Sequence, residues 1–286
     1  MSQRQFGLLG KNISYSFSKK YFTDKFALGN LADCSYENFD IQNIEEFPTV
    51  IANNPDLIGL NVTIPYKESV IPFLHKLSKN AAQIGAINVI RVTKKGNLKG
   101  YNSDYYGFMK SLEPLLKPHH KKALILGTGG AAKAVSFALD RLGILYTFVT
   151  REEKEGMIDY NRINATTFDN YHIVINCTPV GTSPNTKEFP PIPYNFFTEK
   201  HIAFDLIYNP EETEFLKKAK KLIPDIDASM FVKGTAGVRA QAMDTNGKLL
   251  MDFNIIREKN QIHVLNAPSP GATASLAIAD YIIENY

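Results

Sequence analysis

Cysteine is nearly absent from this chain: 286 residues carry only Cys34 and Cys177, far apart and without a CxxC spacing. That excludes a disulfide framework and a thiolate zinc site; both thiols read as packed side chains in a reducing compartment. An excess of charge of one sign is lacking too, with 32 Lys and Arg against 29 Asp and Glu for a net charge of +3. So mild a balance argues against nucleic acid as a partner, and the cluster Lys217-Lys218-Ala219-Lys220-Lys221 reads as a solvated helix face. No apolar run approaches the roughly 20 residues needed to span a bilayer, and residues 1 to 20 hold no apolar signal core. Internal repeats and low-complexity segments are missing as well. The expectation is a cytoplasmic protein, monomer or homodimer, with no membrane contact and a small molecule as its partner. What the chain does have is 44% hydrophobic residues and length enough for two ordinary cores.

Short apolar runs of strand character alternate with segments of helical period, which predicts a parallel α/β architecture. Strands are expected at Gln5–Leu9, Ser35–Asp40, Leu57–Thr63, Ala86–Thr93 and Leu98–Tyr101, the last two joined by a hairpin turn at Lys94-Lys95-Gly96-Asn97. Helices are expected at Ser18–Leu28, Asn43–Ala52 and Tyr105–Leu116. Beyond the polar linker Lys117-Pro118-His119-His120, the strand Lys122–Leu126 runs into Gly127-Thr128-Gly129-Gly130-Ala131 and a helix to Leu142. Further strands at Leu145–Thr150, His172–Asn176 and His201–Leu206 complete a doubly wound pattern. The predicted organisation is an α/β substrate domain over residues 1–104, a Rossmann-type NADP domain over 105–217, and a segment over 218–286.

Six stretches carry candidate chemistry. Pro65 ends the strand from Leu57, so Thr63 and Lys67 belong at a strand end or in the loop after it, where sites in α/β proteins gather. Lys67 is therefore the first candidate for catalysis. Ser16 and Ser18 lie in a loop before a helix, where a hydroxyl either caps the helix or binds a small carboxylate; capping is the default for Ser18. Asn88 and Asp104 stand near strand ends, and Asp104 alone is more often an N-cap than a catalyst. The turn Gly127-x-Gly129-Gly130-Ala131 follows a strand and opens a helix, so its amides can receive a pyrophosphate that Cβ atoms would obstruct. About twenty residues on, where an NAD-binding chain carries an acid, this one has Thr150-Arg151, and a guanidinium there pairs with a 2′-phosphate, which favours NADP.

Together and in this order the stretches resemble the shikimate dehydrogenase family over roughly residues 4 to 217. Asn61-Val62-Thr63-x-Pro65-x-Lys67 is similar to that family's most specific motif, and Gly100-x-Asn102-Ser103-Asp104 to its Gly-x-Asn-Thr-Asp. The glycine turn, Asn176-Cys177-Thr178-Pro179-x-Gly181 and Asp205-Leu206-Ile207-Tyr208-Asn209-Pro210 with Thr213 continue the pattern. The resemblance implies reversible reduction of 3-dehydroshikimate to shikimate with NADPH. It implies that Ser16 and Ser18 hold the substrate carboxylate, and that Thr63, Lys67, Asn88 and Asp104 surround its hydroxyls and the reacting carbon. Either Lys67 or Asp104 supplies the proton that must accompany the hydride. Gly127, Gly129, Gly130 and Ala131 would hold the phosphates, Thr150 and Arg151 the 2′-phosphate end, and Thr178, Leu206 and Tyr208 would lie near cofactor and substrate. The chain departs from the pattern at Asn12, Tyr15 and Lys19, where the family has proline, histidine and proline.

After about Leu216 the family's Gly-x-x-Met-Leu-x-x-Gln tail is not found. From about Lys220 the chain instead resembles the carboxyl-terminal segment of the flavin-dependent L-2-hydroxyglutarate oxidase/dehydrogenase family, through Ala236-Gly237-Val238-Arg239, Gly247-Lys248-Leu249-Leu250-Met251 and Ala267-Pro268-Ser269-Pro270-Gly271-Ala272-Thr273. A hairpin at Asn246-Gly247 and a helix from Ala272 to Ile283 are expected there. The flavin family's FAD-binding half is not in this sequence, so no FAD site follows. The readings to weigh are an NADP-linked shikimate dehydrogenase, with or without slowing by its atypical tail; a quinate/shikimate dehydrogenase using NAD; a binding protein without turnover; and a flavin-dependent L-2-hydroxyglutarate oxidase.

Overall fold

The computed structural model describes residues 3–14, 16–152, 154–221, 254–258 and 261–266. The chain divides into two compact units after Ser103.

In the first unit, β1 (Arg4–Gly10) is buried over its last four residues, Leu9 completely. The following helix α1 (Ser18–Leu28) packs Phe22 flat against Tyr36 of β2 (Cys34–Asp40), with ring centroids 4.4 Å apart. The helix expected over Asn43–Ala52 is two pieces, a 3-10 turn at Ile44–Glu46 and α2 (Phe47–Asn53). Pro48 in the first turn of α2 supports such a restart, because proline fits a helix start but removes an interior bond. Next come β3 (Leu57–Val62), the one-turn helix α3 (Tyr66–Ser69), β4 (Lys76–Leu77), α4 (Lys79–Ile84), β5 (Val89–Val92) and β6 (Leu98–Tyr101).

None of α3, β4 and α4 is evident from periodicity, since four- and six-residue helices are too short to show it. The caps of α4 were nonetheless readable: Ser78 accepts the Ala81 amide at 3.3 Å, and Gly85 closes the helix at φ +70°. The sheet order is β2-β1-β3-β5-β6-β4. It is mixed: β1 runs parallel to β2 and β3, β5 runs antiparallel to β3, and β5 pairs antiparallel with β6 as the expected hairpin turn implies. The tight Lys94-to-Asn97 turn forces this, because only antiparallel strands can be joined by so few residues. One face is filled by Leu9, Phe47, Leu60, Val62, Ile87 and Ile90.

The second unit opens with α5 (Asp104–Leu112), which ends in a 3-10 turn at Glu113–Leu115 rather than running on to Leu116. Pro114 explains the break, having no amide to give the helix. Then follow β7 (Lys122–Leu126), α6 (Gly130–Leu142), β8 (Leu145–Thr150), β9 (Ile158–Asp159), α7 (Ala165–Asn170), β10 (Ile173–Asn176), β11 (Ile202–Asp205) and α8 (Glu214–Lys221). The five strands pair in parallel in the order β11-β10-β7-β8-β9. Residues 123–126 of β7 and all of β10 are buried, as a strand covered by helices on both faces must be. Chain direction reverses its march across the sheet between β7 and β10, which makes their carboxyl ends a topological switch point.

Two further strands, β12 (Asn254–Glu258) and β13 (Gln261–Asn266), form an antiparallel pair. The hairpin expected at Asn246-Gly247 and the helix expected at Ala272–Ile283 lie outside the described residues. Among the described residues no helix is long and apolar enough to cross a membrane. Burial raises both thiols, Cys34 and Cys177, above their ordinary range, so both stay protonated and unreactive at neutral pH.

Histidines cluster at the amino-terminal edge of the second sheet. His119 and His120 precede β7, His172 precedes β10 and His201 precedes β11, and their rings form a chain with centroid spacings of 4.1, 5.4 and 5.3 Å. Two are fixed as neutral tautomers. His120 Nδ1 accepts the Lys117 amide at 2.8 Å while Nε2 faces the Lys200 carbonyl at 3.1 Å. His201 Nδ1 accepts the Thr198 amide at 3.1 Å while Nε2 faces the Phe168 carbonyl at 3.1 Å. Burial lowers the pKa of His120, His172 and His201; the charge of Lys117 near His120 and of Lys200 near His172 pushes the same way, while the Lys200 and Phe168 carbonyls facing His120 and His201, with Asp169 and Glu199, oppose it.

A folded-state pKa below the unfolded value means that the unfolded chain takes up protons first. Stability is then full above the ordinary imidazole pKa of 6.5 and is lost as pH falls below it. Between pH 7.5 and 5 these histidines should contribute a fall in Tm on the acid side, of about 2–4 °C for each kcal/mol lost. A His120→Gln/His201→Gln variant keeps both bonding patterns without a titrating ring and should flatten the curve. An unchanged slope would contradict this account.

Candidate active site

The first unit gathers its polar residues at one edge of its sheet. Gly10 ends β1, Thr63 follows β3, Asn88 precedes β5, and Asn102 and Ser103 follow β6. Because β5 runs antiparallel to its neighbours, its start lies beside the ends of β3 and β6, with Asn61 opposite Val89 and Val89 opposite Tyr101. Backbone bonds tie the edge together: Val62 N–H to the Asn88 carbonyl at 2.8 Å, Thr63 N–H to the Leu9 carbonyl at 2.9 Å, and Ile87 N–H to the Lys67 carbonyl at 2.8 Å. Lys67 thus sits in α3, not in a loop, and its backbone is anchored to the segment before β5. Asn88 is fully buried and clasps Ser103, donating from Nδ2 to Oγ at 2.9 Å and accepting the Ser103 amide at 2.9 Å. Asp104 is the next residue along the chain and opens α5 itself, so it occupies the helix's first turn, where a carboxylate suits the helix dipole.

Ser18 does not cap α1. The N-cap position is Phe17, and the Ser16 hydroxyl accepts the Ser18 amide at 3.2 Å. The serine loop is held from the neighbouring strand: the Asp40 carboxylate, at the end of β2, accepts the amides of Asn12 at 2.8 Å and Ile13 at 3.0 Å. Asn12 has φ +54°, a left-handed conformation that asparagine tolerates. Proline, which the family pattern has here, could neither adopt that φ nor donate an amide to Asp40. The departure at this position is therefore matched by a different fastening of the loop.

Sequence reasoning missed Asp40, although its place at the end of a predicted strand on the same sheet edge was a usable signal. It also missed the pair of Tyr36 and Asn61, in which the buried phenol donates to Asn61 Oδ1 at 2.8 Å. Burial drives the Tyr36 pKa far up, with the Ser18 hydroxyl pulling weakly the other way, so the phenol stays protonated and remains a donor.

In the second unit the glycine turn stands at the switch point. Gly127 has φ +101°, and a Cβ there would lie 3.1 Å from Thr178 Cγ2, so the turn and the loop after β10 touch. Gly129 is the N-cap of α6, no side chain caps that helix, and a Cβ on Gly129 would meet nothing within 4 Å. Uncapped helix amides facing open space beside glycine fit the pyrophosphate of a dinucleotide. Gly130 and Ala131 begin the helix, and Thr150 ends the adjacent β8 with Arg151 exposed beyond it.

The loops after β10 and β11 lie to one side of this turn, β10 pairing with β7 and β11 with β10. Asn176, fully buried at the end of β10, accepts the Thr178 amide at 3.0 Å and hydroxyl at 2.7 Å, and donates to Asp205 Oδ1 at 3.1 Å. Asp205, fully buried at the end of β11, also accepts the Ile207 amide at 3.0 Å and the Thr213 hydroxyl at 2.5 Å. Burial pushes the Asp205 pKa up to about 6, against the pull of those three bonds. Leu206 and Tyr208 follow directly, Tyr208 being largely exposed.

A doubly wound unit with a glycine turn at its switch point, joined to an α/β unit that gathers a lysine, hydroxyls and an amide at one sheet edge, is the architecture of a two-unit dinucleotide-dependent oxidoreductase. Residues 8–90 match the family model for the shikimate dehydrogenase substrate binding domain. The NADP(+) shikimate dehydrogenase of Methanosphaera stadtmanae is 36% identical over 234 residues, spanning 75% of this chain and 82% of that one. Its counterpart from Clostridium botulinum is 34% identical over 226 residues, spanning 75% and 86%. Among solved structures, shikimate 5-dehydrogenase from Thermus thermophilus in complex with NADP(H) and shikimate aligns with a TM-score of 0.65 at 30% identity, covering 77% of this chain and 85% of that one. The Aquifex aeolicus shikimate dehydrogenase aligns at 0.67 and 28% identity, covering 77% and 84%. The chain belongs to the shikimate dehydrogenase family.

Proposed function

We propose that this protein is an NADP-dependent shikimate dehydrogenase, reversibly reducing 3-dehydroshikimate to shikimate in the route to the aromatic amino acids. The observation that carries the reading is the convergence of Thr63, Lys67 and Asn88 at one sheet edge, within the span that the substrate-domain model matches. When bound, NADP(H) supplies or accepts the hydride. Ser16 and Ser18 hold the substrate carboxylate through their hydroxyls. Thr63 and Asn88 bind the ring hydroxyls, and the clasp of Asn88 on Ser103 fixes which way its amide points. Lys67 steadies the carbonyl oxygen, and Lys67 or Asp104 supplies the proton as the alkoxide forms. Gly127, Gly129, Gly130 and Ala131 cradle the phosphates, Thr150 and Arg151 receive the 2′-phosphate end, and Thr178, Leu206 and Tyr208 lie beside the cofactor.

The reading is tested by following absorbance at 340 nm with shikimate and NADP; no rate above that of a Lys67→Ala control would sink it. Cofactor choice is a separate test. Arg151→Ala should raise KM for NADP by roughly one to two decades, the loss of a charge-assisted contact, and leave KM for NAD nearly unchanged. Equal effects on both cofactors would assign the selectivity elsewhere. The resemblance of residues from about 220 onward to a flavin enzyme predicts no flavin chemistry on this reading, so purified protein should be colourless.

A further inference from the structure

We propose that Asp205 is a positioning residue for cofactor binding: its carboxylate fastens together the two loops that follow β10 and β11 and so sets the places of Thr178 and Leu206 beside the glycine turn. The proposal rests on the reading of that turn as the cradle of NADP(H).

The geometry is a hub. One oxygen of Asp205 receives the Asn176 amide, at 3.1 Å, from the end of β10, together with the Ile207 amide of its own loop at 3.0 Å. The other oxygen receives the Thr213 hydroxyl at 2.5 Å. Thr213 is itself buried, and its hydroxyl oxygen accepts the Leu216 amide at 3.4 Å, so the hub also reaches the first turn of α8. Asn176, once steadied by Asp205, uses its own oxygen to hold the Thr178 amide and hydroxyl, and Thr178 Oγ1 in turn accepts the Val180 amide at 3.2 Å. Further out the two loops are joined again, with the Ser183 amide donating to the Asn209 carbonyl at 3.0 Å. The branch through Asn176 ends on the loop that touches Gly127.

A buried carboxylate is an expensive way to join two loops if stability alone is served, since its ionised form loses water that three donors only partly replace. A carboxylate does, however, offer acceptors only. Three donors can converge on it with no ambiguity of orientation, which fixes both loops in one arrangement before any cofactor arrives. Asparagine at this position is a sharp control. Its oxygen accepts from Asn176 and Ile207 as before, and its amide donates to the Thr213 oxygen, so the fastening survives while the charge disappears.

The test compares Asp205→Ala, Asp205→Asn and Thr213→Val in the full-length chain. NADPH affinity is read by its fluorescence, and hydrogen exchange is read in the cofactor-free protein. In Asp205→Ala, affinity for NADPH should fall at least about tenfold and KM for shikimate should change little, as expected from losing bonds to a charged acceptor. The amides of Thr178, Val180 and Ile207 should lose exchange protection, whereas those of β7 should keep theirs. Asp205→Asn should bind within about threefold of the unaltered chain and retain protection, because the bonding geometry persists. Thr213→Val removes one of the three bonds to Asp205, together with the long bond from the Leu216 amide, and should give an intermediate loss; it decides the matter if Asp205→Ala does not fold. Full affinity and protection in Asp205→Ala, or in Thr213→Val should the alanine variant not fold, would overturn the proposal, as would an Asn variant as poor as the Ala one. An unaltered chain that binds no NADPH overturns the underlying cofactor reading, an outcome distinct from these.

Discussion

Replacing Lys67 with methionine should lower kcat by about 10²–10⁴-fold, the range lost when a positioned proton donor is removed, while Tm stays within a few degrees. The expectation of an intact fold comes from how α3 is held. The backbone carbonyl of Lys67 accepts Ile87 N–H at 2.8 Å, and the neighbouring Tyr66 side chain is buried and donates to the Ile41 carbonyl at 2.8 Å. Neither bond involves the ammonium. Methionine keeps the apolar stem and volume of the half-buried side chain while removing the ammonium. Single-turnover rates and circular dichroism check the two halves of this statement. A Lys67→Met enzyme within threefold of the unaltered rate would assign the proton to Asp104 or to another group. Asp104→Asn, measured alongside, then separates the two candidates: the variant with the greater loss in kcat at unchanged KM for shikimate marks the group that acts in the transition state.

The second large effect is expected from Gly129→Val. A Cβ at Gly129 meets no protein atom within 4 Å, and the residue already has φ −78°, which valine adopts without strain. The folded chain therefore loses only about 1 kcal/mol, the difference between a good and a poor N-cap residue. The branched side chain would stand in the space where the pyrophosphate must approach the helix amides, so affinity for NADPH should drop at least about 100-fold, as closing off a phosphate cradle requires. Gly127→Ala offers the contrasting case. Its φ of +101° and the 3.1 Å approach to Thr178 Cγ2 make that substitution costly to the fold itself, about 1–3 kcal/mol for an L residue held in a sparsely populated region. Binding titrations and thermal melts on both variants should therefore separate: Gly129→Val loses the cofactor and keeps Tm, while Gly127→Ala loses Tm as well. A Gly129→Val protein that binds NADPH normally would place the phosphates away from this turn.

How legible the fold was depended on length and contiguity. The run from Lys122 through the glycine turn to Leu142 was readable because a buried strand, a turn that only glycine fits and an amphipathic helix follow one another without interruption. Likewise α1 was predicted at its observed bounds, being eleven residues long. By contrast α3, β4 and α4 have too few residues to show a period, and the split of Asn43–Ala52 turns on a single proline restart.

Local sequence determined that a lysine would follow a strand closed by Pro65, that the Ser16 hydroxyl would lie in the loop before α1, and that a glycine turn would open α6. Each of these depends on neighbours in the chain, and short-range sterics and hydrogen-bonding alternatives suffice to set them. Tertiary structure alone decided which strand ends meet. The antiparallel course of β5 brings Asn88 beside Thr63 and Ser103, and the adjacency of β10 and β11 brings Asn176 to Asp205. The fastening of the serine loop by Asp40 from the next strand belongs with these. Strand order is chosen by how whole faces bury one another, a sum over residues far apart in the chain, so no local pattern carries it.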